Sequence, residues 1–317
     1  MIRLKKLVSV VVPMYFEEEV AYECYHRLTD VMSKGETDYE LIFVNDGSTD
    51  KTLPILKGIA LKDKKVKVIS FSRNFGHQNA VTAGVFGASG DAIVIIDADL
   101  QDPPELIPDM IAKWNEGYDV VYAKRKQRKG ESIFKLVTAK YFYKFLHAMS
   151  DVEIPKDTGD FRLMDRKVAE VFKNMPERNR FIRGMISWVG FKQMPLEYER
   201  QERFAGKTKY PLKKMLKFAS DGIIGFSSKP LKMISFVGGC TILLSIILFI
   251  YSIIEKMIKG STVQGWTSLI CAVTLFSGVQ LLSLGIIGQY IARIYDESKQ
   301  RPLYIVDEKI NYDEDNK

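Results

Sequence analysis

Four short apolar runs, each closed by a polar cluster, recur through the first hundred residues and constrain the fold more than any other feature. Residues 7–12 (Leu-Val-Ser-Val-Val-Val), 40–44, 66–71 and 92–96 have the length and β-branched content of buried strands. Residues 17–32, 48–62 and 78–88 between them have helical length, and Ser48, Thr49 and Asp50 are available to cap the second. Strands alternating with helices predict βαβ units, hence an α/β fold with a mostly parallel sheet covered on both faces. In such sheets ligands sit outside the carboxyl ends of the strands. The polar clusters fall there: residues 15–17, 45–47, 73–76 and 97–102.

The last third reads differently. Residues 233–254 and 265–292 are uncharged and strongly apolar, and each exceeds the roughly 20 residues that cross a bilayer. Residues 210–226 mix Lys213, Lys214 and Lys217 with apolar residues at helical spacing, which predicts a helix lying in the membrane interface. The expected organisation is a head over 1–209, amphipathic juxtamembrane helices over 210–231, two spans with a short connector over 232–292, and a tail over 293–317. Lys213, Lys214, Lys217, Lys229 and Lys232 precede the spans, Arg293, Lys299 and Arg301 follow them, and the connector has Lys256 and Lys259. The positive-inside rule then puts head and tail in the cytosol. Residues 302–306 have strand propensity, with two readings open: a strand added to a sheet edge, for instance of a neighbouring subunit, or a free tail. No cleavable signal peptide is expected, because the basic residues 1–7 run directly into a strand. Cys24, Cys240 and Cys271 have no metal-ligand spacing and predict no disulfide framework.

The formal charge of +7 suits an anionic partner. The cations cluster beside the apolar stretches, so a membrane or a phosphorylated substrate is expected and no nucleic acid. Asp97-Ala98-Asp99 follows an apolar run directly, and two carboxylates at i and i+2 can reach one hard cation. Mg²⁺ or Mn²⁺ favours such oxygen ligands and bridges to substrate phosphates.

Residues 10–19 (Val-Val-Val-Pro-Met-Tyr-Phe-Glu-Glu-Glu), 43–50 (Phe-Val-Asn-Asp-Gly-Ser-Thr-Asp), 72–80 (Ser-Arg-Asn-Phe-Gly-His-Gln-Asn-Ala) and 97–105 (Asp-Ala-Asp-Leu-Gln-Asp-Pro-Pro-Glu) together resemble the family 2 glycosyltransferases of the GT-A fold. Within that family the chain is similar to dolichol-phosphate mannose synthases, and more so to bacterial undecaprenyl-phosphate glucosyltransferases. The resemblance covers nearly the whole chain. It implies inverting, metal-dependent transfer of a hexose, glucose first, from a UDP-sugar to polyprenyl (undecaprenyl) phosphate, for cell-envelope glycosylation. It also makes a homo-oligomer plausible.

The family pattern implies roles for residues. Pro13, Tyr15 and Glu17 would line the base pocket, and Asp46 would hold base or ribose. Asp97 and Asp99 would face ribose and metal, with Gln101 a further ligand. Asp160, in Thr158-Gly-Asp-Phe-Arg162, is the residue the family pattern proposes as general base; a second reading has it position the sugar or polarise the developing oxocarbenium charge, and Arg162 is equally open as its structural ion-pair partner. Cations for the lipid phosphate would be Arg125, Arg128, Arg200, Arg203 and Lys209; the last two lie in a segment resembling R-x-x-G-x-S/T-K-Y. Glu177 to Trp188 resembles a family segment whose three arginines either support the active-site floor or anchor a helix. One residue departs from the pattern: the family usually has Asn where this chain has Phe16.

Three other readings fare worse. Gly84, Gly87 and Gly90 lack the G-x-G-x-x-G spacing of a dinucleotide-binding turn. A processive polysaccharide synthase usually carries Q-x-x-R-W, and Trp188 is preceded instead by Met185-Ile-Ser. A non-catalytic membrane scaffold would keep the fold and lose turnover.

Overall fold

A computed structural model describes residues 5–126, 155, 158–199, 229–259 and 265–312. Four strands, β1 (Leu7–Met14), β2 (Asp38–Asn45), β3 (Val66–Phe71) and β4 (Ala92–Ile95), pair in parallel. They are joined by α1 (Ala21–Ser33), α2 (Thr52–Lys62) and α3 (His77–Gly87). After α4 (Ile107–Asn115) come β5 (Val120–Arg125), β6 (Thr158–Asp165), α5 (Arg166–Asn174), α6 (Ile182–Val189) and β7 (Gln193–Tyr198). Two long helices, α7 (Lys229–Lys259) and α8 (Trp266–Ser298), lead to a last strand, β8 (Val306–Ile310). The strand order is β7-β5-β6-β4-β1-β2-β3-β8. β1 has β2 on one side and β4 on the other, so the chain reverses its direction of build at the β1/β4 boundary. That is where an open α/β sheet forms its ligand crevice.

The strands read from the sequence are present: β1 and β2 are longer than expected, β3 has the expected bounds, and β4 stops one residue early. One apolar cluster, with Val10, Phe43, Leu28 and Leu56, fills one face of the sheet. The other face packs Val11, Ile42 and Ile95 against α3, α5 and α6. The glycines weighed as a dinucleotide motif serve this packing: a Cβ on Gly84 would collide with Val11 and one on Gly90 with Ser9. A mostly parallel α/β sheet is thus the observed architecture, with β6 and β8 running antiparallel to their neighbours.

Three local expectations are corrected. The helix expected from residue 17 begins at Ala21, because Phe16 turns left-handed (φ 54°) and residues 17–20 form a separate turn on the Glu17 carbonyl. Only Asp50 of the three candidate caps acts at α2, accepting from the Thr52 N–H at 3.0 Å, while Ser48 accepts instead from the Phe16 N–H. The tail strand starts at Val306 and pairs antiparallel with β3, so of its two readings the added sheet-edge strand holds, on the chain's own sheet rather than a neighbour's. Tyr304 stacks on Phe71 (4.9 Å, 14°) and Ser72 N–H donates to the Ile305 carbonyl, which seats the chain before the strand.

The long helices contain 31 and 33 residues, about 46 and 50 Å at 1.5 Å per residue. Among the described residues one stretch, Leu275–Ser298, is long and apolar enough to cross a membrane (mean hydropathy 1.5). Phe236, Leu243, Ile247, Leu275, Leu281 and Leu284 are all exposed on the two helices. The amphipathic segment 210–226 lies outside the described residues.

Candidate active site

Each site element begins where a buried strand runs out at the crevice. β1 closes with Pro13 and Met14, both buried, and delivers Tyr15 and Phe16, which are exposed. Their rings meet edge to face at 4.4 Å. Phe16 N–H donates to Ser48 Oγ (3.1 Å) and Glu17 N–H to Thr52 Oγ1 (3.0 Å), so two hydroxyls from the β2–α2 connection hold this turn. A bulky residue in the left-handed region costs about 1–3 kcal/mol and persists only where its surroundings hold it.

β2 ends in Asp46, which is 2% exposed. Its carboxylate accepts from Asn74 Nδ2 (2.9 Å), Phe75 N–H (2.7 Å) and Gly76 N–H (3.0 Å). Burial pushes the carboxyl up and the backbone donors pull against it. Asp46 thus clamps the 74–76 loop; the base or ribose contact read from the sequence would need that loop to part from it. Gly47 permits the close crossing, since at φ 66° a Cβ there would collide with the Arg73 and Asn74 backbone.

The end of β4 carries the acidic motif. Asp97 and Asp99 are partly exposed, and Asp99 Oδ1 accepts from the Gln101 N–H at 3.2 Å. Leu100 between them is also left-handed (φ 55°), which turns the chain within the motif. Gln101 is buried, as is Asp102. Asp102 accepts from the Tyr198 hydroxyl and lies 3.7 Å from the Arg125 guanidinium, whose Nε also donates to Tyr198.

β6 brings in Asp160. Ile95 pairs with Arg162 in the antiparallel β4–β6 ladder, and continuing that register two residues places Asp97 opposite Asp160. Like charges facing each other across strands repel, and His77 answers them. From the first turn of α3 its Nε2 lies 3.0 Å from Asp160 Oδ2 and 3.7 Å from Asp97 Oδ1. On the far side Arg183 Nε of α6 donates to Asp160 Oδ1 at 2.7 Å. Asp160 is 3% exposed; burial works against its charge, but Arg183 and His77 outweigh it and hold the carboxyl well below the usual range. Burial works against the charged form of His77 too, yet Asp160 and Asp97 raise it to about 9. Asp97 goes the other way, pushed up to about 6 by burial and by Asp160, Asp102 and Asp99, with His77 opposing.

The expected ion pair between Arg162 and Asp160 is corrected. Arg162 bonds the backbone carbonyls of Asp160 (3.3 Å) and Gly159 (3.0 Å), and the carboxylate goes to Arg183. The three arginines after β6 divide. Arg183 reaches the site; Arg180 binds the carbonyls of Phe172, Met175 and Glu177; and Arg178 meets the end of α8. Arg128, Arg200, Arg203 and Lys209 lie outside the described residues. Arg183 bears out the active-site reading of that arginine segment, whereas His77 and Gln78 are the residues sequence reasoning missed, although both stood inside a quoted motif. Gln78 donates to Asp160 Oδ2 (3.4 Å) and accepts from the Ile182 N–H (2.8 Å), tying α3 to α6.

The sequence model described as "Glycosyl transferase family 2" matches residues 9–172. An uncharacterized glycosyltransferase of Bacillus subtilis (strain 168) is 59% identical over 94% of this chain and 92% of its own. A bactoprenol glucosyl transferase of Shigella phage SfV is 42% identical over 94% of this chain and 97% of its own. A solved structure, glucosyl-3-phosphoglycerate synthase from Mycobacterium tuberculosis with phosphoglyceric acid, is similar over 69% of this chain and 78% of that one, at 20% identity and a TM-score of 0.46. The family match takes in the strand ends that build the crevice, from β1 through β6, and the chain belongs to glycosyl transferase family 2.

Proposed function

We propose that this glycosyltransferase moves a hexose, glucose first, from a UDP-sugar onto a polyprenyl phosphate at the cytoplasmic membrane face, with inversion. The observation that carries the reading is the acidic Asp97–Asp99 turn facing the Asp160–His77–Arg183 cluster across the switch-point crevice. The acceptor class is supported by the relative named for bactoprenol, whose match extends through the long helices.

The donor set fits Mg²⁺ or Mn²⁺. Asp97 and Asp99 are partly exposed; burial first, and then the neighbouring carboxylates, push Asp97 up to about 6, and a cation would relieve the carboxylate part. Among the described residues no three His, Cys, Asp or Glu converge as a metal cage. That suits ions held by one or two carboxylates, with substrate phosphates and water completing the shell. Asp97 and Asp99 would hold the ion, with Gln101 adjoining them, and it would neutralise the nucleoside diphosphate as it leaves.

A lipid phosphate oxygen forms the new bond to the anomeric carbon as the bond from that carbon to the diphosphate breaks. The electron pair departs with the diphosphate and the configuration inverts. The acceptor needs little deprotonation, since a phosphate monoester has its second pKa near about 6. Asp160, held low by Arg183 and His77, is a weak base. Its part is positioning: a fixed negative charge for the developing positive charge on the sugar, with Tyr15, Glu17 and Pro13 toward the base and Arg125 toward the acceptor. Both α7 and α8 cross the bilayer, with head and tail cytosolic.

The test incubates purified full-length protein with a panel of nucleotide sugars and a short polyprenyl phosphate, with and without EDTA. A β-linked lipid product from a UDP-hexose, abolished by EDTA, is expected. Retained configuration, or sugar found only in a growing polymer, overturns the reading.

A further inference from the structure

We infer that Phe16 recognises the nucleobase, its ring joining Tyr15 to form an aromatic face on which the base of the donor stacks. The inference rests on the nucleotide-sugar reading above and adds a residue where this chain departs from the family pattern. Phe16 stands at the carboxyl end of β1, on the crevice, with φ 54°. Positive φ is an outlier for a bulky side chain, whereas Asn, the residue the family pattern has here, is enriched there. Packing does not account for the ring, which is 42% exposed and belongs to neither core cluster. It meets Tyr15, itself 39% exposed, edge to face at 4.4 Å.

The fold instead takes trouble to hold the turn. Ser48 and Thr52 accept from the amides of Phe16 and Glu17, and Asp46 N–H donates to the Met14 carbonyl (2.9 Å). A side chain both strained and exposed, on a turn pinned from two sides, is explained by what it contacts when substrate is present. Two adjoining aromatic rings at a nucleotide site offer a stacking surface, and every base has a π-face. Stacking discriminates poorly among bases, so exchanging Asn for Phe trades base selectivity for affinity.

The test compares the wild type with Phe16→Asn and Phe16→Tyr as full-length proteins in detergent. Calorimetric titrations with UDP and with inorganic pyrophosphate, both in Mn²⁺, are read beside thermal unfolding. Phe16→Asn is expected to weaken UDP about tenfold, leave pyrophosphate unchanged and leave Tm equal or raised; Phe16→Tyr stays within about twofold for UDP. UDP bound by Phe16→Asn as tightly as by the wild type overturns the inference, and so does an equal loss for UDP and pyrophosphate, which would make the residue a scaffold of the turn. Wild-type protein that binds pyrophosphate but no nucleoside diphosphate would sink the donor reading itself, a result distinguishable from failure at Phe16 alone.

Discussion

Asp97 and Asp160 face the same histidine nitrogen, at 3.7 and 3.0 Å, and their proton affinities move in opposite directions. Asp97 leaves a parallel strand into a turn crowded with other carboxylates and rises to about 6. Asp160 sits within an antiparallel strand, gripped by His77 and Arg183, and falls well below the usual range. Asp160 is the more buried of the two, so burial alone would raise it further than Asp97; their charged neighbours set the opposite order. Carboxylates whose surroundings drive them apart have different tasks. On the proposed function the crowded one would take a cation, and the gripped one stays a fixed anion.

The strongest way to break that comparison is to neutralise the cation-facing side. Asp99→Asn is expected to cut sugar transfer by about 10²–10³-fold, the range for losing one preorganised transition-state group, with thermal unfolding within a degree or two of the wild type. Activity close to wild type would mean that the acidic turn holds no catalytic cation. Next comes the gripped side. Arg183→Ala strands a carboxylate that is 4% exposed at its side chain, and breaking a buried pair costs about 3–5 kcal/mol. About 3 kcal/mol is expected, because the guanidinium side chain is itself 26% exposed. At roughly 2–4 °C per kcal/mol, Tm should drop by roughly 10 °C. If Tm holds, His77 and Gln78 suffice to hold Asp160 and Arg183 does not set its contrast with Asp97. Asp46→Ala follows at about 2 kcal/mol, since it leaves the Phe75 and Gly76 amides without their acceptor. Amide hydrogen exchange at those two positions should accelerate.

The same contrast explains what was legible beforehand. β1 to β4 could be read because each is an apolar run ended by turn residues, and the acidic turn because its two carboxylates are sequence neighbours. Asp160 was reached through a family resemblance. Its partners were out of sight because His77 lies 83 residues away and Arg183 belongs to a helix across the crevice. Only the antiparallel register of β6 against β4 brings the three together, and nothing in local pattern declares that register. The tail shows the same limit: strand propensity was visible near residue 302, yet the partner strand and the start at Val306 depend on tertiary pairing with β3. Phe16 is the converse, a local departure whose backbone cause emerged only as φ.

The smallest expected effect probes whether the grip on Asp160 reaches the long helix α8. Glu297, at the end of α8, accepts from the amides of Arg178 (2.7 Å) and Asn179 (3.3 Å), just ahead of α6, which carries Arg183. Hydrogen bonds to a charged acceptor are worth about 1.5–3 kcal/mol when well made. One of these is long and the site is only partly buried, so Glu297→Ala should cost about 1 kcal/mol and lower Tm by roughly 2–4 °C. Hydrogen exchange should quicken first at Arg178 and Asn179. If it quickens at Arg183 as well, the end of α8 helps fix the cation that keeps Asp160 an anion, and the long helix and the active site share one support. If Arg183 is untouched, α3 through Gln78 holds α6 by itself, and the difference between the two aspartates is set wholly within the sheet.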